Sequence, residues 1–308
     1  MPQTALDELP FDERFEALLE RGRVHLEAER YEEALRCYEE AEEAAHRHGE
    51  RRAEDCAFVS RWAVRIATER GLPAEPLQRL REILMAGDDD ANSWLAAYNI
   101  ARAYEFAKEH RKGLFYARIA LDRARLLGAT DWLASSRNQI GNFLLAESRF
   151  EQACEEYAEA LALLQGEART LRHAKIFDNL GYAFVVIGRV HEGLGLLYRS
   201  LRILRTLGAH REQIFPQLDL CFALLEVDRH ELALKHGASA LALAEEAGES
   251  DSIKHALFLM GEAAQQCGDA AMARETFERL QQRYFPDSSY LPDVLLTVDV
   301  RKLVNLKA

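Results

Sequence analysis

Apolar positions along this chain recur at helical spacing. Leu77, Leu80, Ile83 and Leu84 lie three and four apart, on one face of a helix. Over that short period runs a longer one. Gly141, Ala153, Tyr157 and Ala160 read small, small, aromatic, small. Forty residues on, the same places hold Gly181, Gly193, Leu197 and Ser200. Two further steps give Cys221, Ala233, Gly237, Ala240 and then Gly261, Ala273, Phe277, Leu280. One step back gives Ala101, Gly113, Ala117 and Ala120, and Gly22, Ala34, Tyr38 and Ala41 open the series. Each unit is expected to be two amphipathic helices joined by a short turn. The small residues let the helices of a pair approach, and the aromatic fills the space where one pair meets the next. No single pair buries its apolar faces, so neighbours must stack into one continuous core.

The pattern predicts a lead-in over 1–11 and seven helix pairs over 12–286. The pairs run over about 12–48, 51–86, 93–128, 131–165, 170–208, 211–247 and 251–285. The second is degenerate: Trp62 stands where a small residue belongs, and Glu75 and Arg79 replace the downstream small and aromatic positions. Gly71-Leu72-Pro73 ends its first helix. The polar run from Gly87 to Ser93 reads as a loop whose side chains cap the following helix. Gly128, Gly166, Gly208 and Gly248 stand at the ends of second helices, as C-terminal caps do. Residues 287–308 are expected to form a capping segment. Its run from Leu291 to Val298 reads as a helix covering the open end of the stack, although its β-branched content also admits a strand.

Composition agrees with an all-α chain. It has seven prolines and seventeen glycines in 308 residues and is rich in Ala, Leu, Glu and Arg. The net charge of -12 argues against phosphate-backbone binding as the main task. Five cysteines, Cys37, Cys56, Cys154, Cys221 and Cys267, are odd in number and widely spaced. They fit reduced, buried thiols in a cytoplasmic protein better than a disulfide framework or a zinc site. The N-terminus lacks the basic and apolar regions of a signal peptide, and no apolar run is long enough to span a membrane.

The spacing Gly22-Ala34-Tyr38-Ala41 and Gly141-Ala153-Tyr157-Ala160 resembles the tetratricopeptide repeat family, in a branch with long, forty-residue units. HEAT-like helical repeats share the length but lack this small-residue spacing. The resemblance implies a right-handed superhelix, an α-solenoid, whose first helices line a concave groove. Mapped onto this chain, the groove positions include Tyr98, Arg102, Asn138, Asn142, Lys175, Asp178, Tyr182, Phe215, Phe222 and Phe258. Asn138 and Asn142 share a helix face and can pair with the main chain of an extended peptide. Arg102 and Lys175 can bind carboxylates, and the aromatics can hold apolar side chains. The bland alternative is that these polar groups only solvate the inner helix surface.

Other clusters point elsewhere or nowhere. Arg199, Arg202 and Arg205 form a basic stripe that reads as a solvated convex face. Arg169, Arg172, His173 and Lys175 resemble an anion-binding mouth. His46 and His48 are two apart on a helix and face different ways. Asp88-Asp89-Asp90 lacks the spaced ligands of a calcium loop. No phosphate loop, GxSxG or HExxH motif occurs. The expectation is a non-enzymatic, cytoplasmic adaptor or scaffold that binds a protein or peptide, with no cofactor, metal, nucleic acid or membrane partner. A peptide-sensing regulator acting on an effector protein is the alternative, as is a non-catalytic subunit of an enzyme complex. The oligomeric state is not legible.

Overall fold

The computed structural model describes residues 9–69, 74–165 and 170–298. Among these, fifteen α-helices and one short 3-10 turn occur and no strand. Two compact units divide the chain, Met1–Phe143 and Leu144–Ala308.

The first unit holds α1 (Phe11–Glu27), α2 (Tyr31–His48), α3 (Arg51–Glu69), α4 (Ala74–Ala86), α5 (Asp90–Phe106), α6 (His110–Leu127) and most of α7 (Thr130–Ala146). The end of α7 belongs to the second unit, with α8 (Phe150–Leu163), α9 (Leu171–Val186) and α10 (Val190–Leu207). There follow the 3-10 turn Arg211–Gln213, α11 (Ile214–Leu225), α12 (His230–Glu246), α13 (Ser250–Gln266), α14 (Ala270–Tyr284) and α15 (Leu291–Thr297). Within each unit consecutive helices pack as pairs, and first helices also stack on first helices: α3 on α5, α9 on α11, α11 on α13.

The repeated small residues do the work their spacing implies, with one adjustment. A Cβ added to Gly22 would lie 2.5 Å from the Tyr38 ring, and one added to Gly261 would lie 2.2 Å from the Phe277 ring. The aromatic therefore lies on the first small residue of its own pair, not only between pairs. Tyr38 does both, since it also clusters with Val64 of α3. In the fifth repeat Leu197 takes the aromatic's place, and Gly181 and Gly193 bring the two backbones together.

The turns repeat at the same interval. In the turn after every first helix except α3 one residue is left-handed: Glu29, Lys108, Ser148, Gly188, Asp228 and Gly268, with φ between 56° and 86°. Four of these six are not glycine, so composition gives no hint of the conformation. Second helices close on Gly49, Gly128, Gly208 and Gly248, all at positive φ. Gly166, expected in the same role, lies outside the described residues, as does the turn at Gly71-Leu72-Pro73. Asp89 caps α5 by accepting from the Asn92 backbone N–H at 2.8 Å, as its loop predicts.

The degenerate second pair is looser. The helices α3 and α4 touch far less than the helices of other pairs. Trp62 is too large for the close approach that a small residue permits. It packs with Phe58, Ile66 and Leu80 in a cluster that also includes Trp94 and Ile100 of α5. Arg79, at the aromatic's place, faces Glu54 at 3.0 Å, Glu42 and Asp55 at 3.5 Å, and the ring of Phe58 at 4.2 Å. At the other end, α15 is a seven-residue helix packed on α14, with Pro292 and Leu295 buried. The helical alternative for 291–298 thus holds for Leu291–Thr297, and residues 299–308 lie outside the description.

Candidate functional site: the first-helix face

In the first unit, side chains of one first helix reach the backbone of the one before it. From α5, Asn92 Nδ2 donates to the Arg52 carbonyl at 3.0 Å, Asn99 Nδ2 to Val59 at 2.9 Å and an Arg102 guanidinium N–H to Ala63 at 3.3 Å. The accepting carbonyls are seven and four residues apart, one stripe along α3. From α7, Gln139 Nε2 donates to the Tyr98 carbonyl at 3.1 Å. Asn99 and Gln139 stand forty apart, each two residues before the small residue of its repeat. Asn179 and Asp219 hold the same place in the next two repeats. The signal was present in the sequence at the period already found, but at a position outside the small-residue pattern.

Tyr98, Arg102, Asn138 and Asn142 are each half-buried. Asn142 Nδ2 donates to Glu105 Oε1 at 2.9 Å. Arg102 has no carboxylate partner among the described residues; its bond is to a carbonyl. The Tyr98 ring stacks on Trp94 at 5.1 Å, and Trp94 stacks on Trp132 at 4.3 Å with planes 7° apart. Trp94 Nε1 donates to Ser136 Oγ at 3.0 Å. Three rings thus stack in series, with Trp94 buried between the half-buried Tyr98 and Trp132.

In the second unit the expected residues separate. Lys175 is exposed and ion-paired to Glu212 at 3.0 Å. Phe215, Phe222 and Phe258 are half-buried, and Phe222 meets Tyr182 at 5.8 Å between ring centroids. Asp178 and Tyr182 are not surface groups: they are 5% and 1% exposed. Their face of α9 is covered by packed neighbours, so neither is open to a ligand.

The anion-binding mouth does not form around His173. That residue is buried and spends both ring nitrogens internally. Nδ1 accepts from the Thr170 backbone N–H at 3.2 Å, which leaves Nε2 to donate to the Leu164 carbonyl, also at 3.2 Å. It closes the start of α9 as a capping box, with Thr170 as N-cap. Arg169 lies outside the described residues.

Of the five thiols only Cys37 and Cys221 are buried, against the expectation, while Cys56 and Cys154 are half-buried. Burial pushes Cys221 up to about 12, and it is fully enclosed against Gly237. Cys267 is exposed. Among the described residues no helix is long and apolar enough to cross a membrane.

Residues 255–288 match the family model described as tetratricopeptide repeat. No curated protein matches the chain in sequence. Solved structures share its fold. A Rap protein complexed with Competence and Sporulation Factor has a TM-score of 0.70 at 14% identity, covering 94% of this chain and 80% of that one. BtubC (BKLC) from P. vanneervenii has a TM-score of 0.57 at 18% identity, covering 74% and 93%. PilF of Pseudomonas aeruginosa has 0.52 at 19%, covering 75% and 91%. Residues 255–288 of the last full pair thus match a tetratricopeptide repeat, within an all-α fold of packed helix pairs that the chain shares with these structures.

Proposed function

We propose that this chain is a non-catalytic binding protein whose first-helix face receives an extended peptide or partner segment. The observation that carries the reading is Arg102. It is a half-buried guanidinium held by one carbonyl, four residues along α5 from Tyr98 of the Tyr98–Trp94–Trp132 stack and one forty-residue period from Asn142 on the next first helix. A guanidinium with a vacant fork recognises a carboxylate, asparagines pair with main chain, and the partly exposed rings of Tyr98 and Trp132 offer apolar contact. The fold shared with a Rap protein that was solved with Competence and Sporulation Factor bound is in keeping with a binding role.

The test is a selection of displayed random peptides on the full chain and on the Asn138→Ala, Asn142→Ala double variant. Recovered peptides should lose affinity by about tenfold or more in the double variant, the loss expected for two or more hydrogen bonds. Affinity that survives both substitutions and Arg102→Ala would place binding elsewhere.

A further inference from the structure

A second cationic centre lies away from the first-helix face. Arg81 of α4 donates through one terminal nitrogen to Tyr104 Oη of α5 at 2.5 Å and through Nε to Tyr116 Oη of α6 at 3.3 Å. The two phenol rings stack at 5.8 Å, and Lys112 Nζ lies 5.7 Å from the centre of the Tyr104 ring. No carboxylate lies within ion-pair distance of Arg81 among the described residues. The contrast with its surroundings is sharp. Arg79, two residues earlier, has three carboxylates, and Arg61, Arg65 and Arg123 are each paired as well. In a chain of net charge -12, acid is plentiful, yet this guanidinium faces only phenols.

That arrangement is built to hold an oxyanion. Each phenol oxygen accepts from Arg81, so each phenol proton is left to donate outward. The second terminal nitrogen of the guanidinium remains as a further donor beside them. Two strongly exposed apolar side chains flank the centre. Met85, one turn along α4 from Arg81, is 85% exposed, and Phe115, which meets the Tyr116 ring edge-on at 5.3 Å, is 60% exposed. An isolated small anion would use neither of them.

We propose that Arg81, Tyr104 and Tyr116 anchor an acidic side chain of a partner protein segment, whose apolar neighbours lie on Met85 and Phe115. Charge complementarity selects the acid and the exposed apolar pair selects a protein segment. A nucleic acid or an anionic membrane would require a run of cations, and this centre has one guanidinium and one ammonium that is itself paired to Glu109.

The random-peptide selection, run on the full chain and on Arg81→Gln, tests the site independently of the first-helix face. The wild type should yield a class of peptides with Asp or Glu next to aromatic or aliphatic residues. That class should be lost with Arg81→Gln and kept in the Asn138→Ala, Asn142→Ala variant. A selected peptide should bind about tenfold more weakly when its acid is replaced by the amide. Arg81→Lys, which keeps the charge but not the fork, and Tyr104→Phe with Tyr116→Phe should each weaken it too. All three tryptophans, Trp62, Trp94 and Trp132, lie in this unit, so unchanged emission certifies that a variant has folded. An acid-free class, a class unchanged in Arg81→Gln, or recovery of no peptide would overturn the proposal. So would binding of inorganic phosphate at Arg81 without binding of acidic peptides.

Discussion

Replacing Gly261 by Ala puts a methyl group 2.2 Å from Cε1 of Phe277 and 2.6 Å from two more ring atoms. Carbon atoms in contact sit roughly 3.5–4.0 Å apart, so the ring must retreat by more than about 1 Å. It has nowhere to go, since Phe277 is fully buried. Overpacking of this kind costs about 1–3 kcal/mol, against a helix-propensity gain of about 1 kcal/mol for Gly→Ala. The displacement is at the severe end, so the net expectation is a loss of about 1–2 kcal/mol. Gly195 supplies the control. It is inside α10, exposed, with nothing within 4 Å of an added Cβ. Gly195→Ala should therefore stabilise by about 0.5–1 kcal/mol. Urea unfolding followed by far-UV circular dichroism reads both shifts. Phe277→Leu, which removes the ring atoms nearest the added methyl, should recover part of the loss when combined with Gly261→Ala. If Gly261→Ala proves neutral or stabilising, or if the double variant adds up without coupling, the small-on-aromatic account of pairing is refuted.

The left-handed turns predict a second contrast of opposite signs. Ser148 sits at φ 59°, so Ser148→Gly should stabilise by about 1 kcal/mol, while Gly188→Ala at φ 86° should cost about as much, both read from thermal midpoints. The cysteines should differ widely toward a thiol reagent at neutral pH. Cys267 should label first, and Cys221, enclosed and held far from its thiolate, only at the rate of unfolding; time-resolved mass spectrometry tells them apart.

Much of the fold is legible because close helix approach needs small residues at fixed places, and Gly22, Gly181 and Gly261 stand there. The left-handed turns at Lys108, Ser148 and Asp228 are not legible, because ordinary side chains occupy them and only the repeat geometry imposes the angle. Trp62 signals a departure in the sequence but not its outcome: the gap between α3 and α4 and the ion network around Arg79 depend on which helices come together. The candidate site was less readable. Family positions mark which face of a helix turns inward, but not which parts of it neighbouring helices cover, and so Asp178 and Tyr182 look accessible in sequence although both are buried. His173 looks like part of a basic cluster because its two partners are the backbone of its own loop, which carries no signature. Arg81 is not legible because its meaning lies in facing phenols and no acid, which only a fold can reveal.

The stripe of carbonyls on α3 has a consequence for how such a chain tolerates change. Asn92, Asn99 and Arg102 grip α3 through Arg52, Val59 and Ala63, and they grip main chain only. Every amino acid supplies a carbonyl, so the gripped helix owes this contact nothing from its own side chains. Registry is written entirely on the donor helix. A repeat can therefore lose its signature residues, as the one bearing Trp62 and Arg79 has, and still be held in line by the repeat that follows. Drift in one unit is absorbed by its neighbour's amides, which leaves the surface of the drifting unit open to acquire a task of its own.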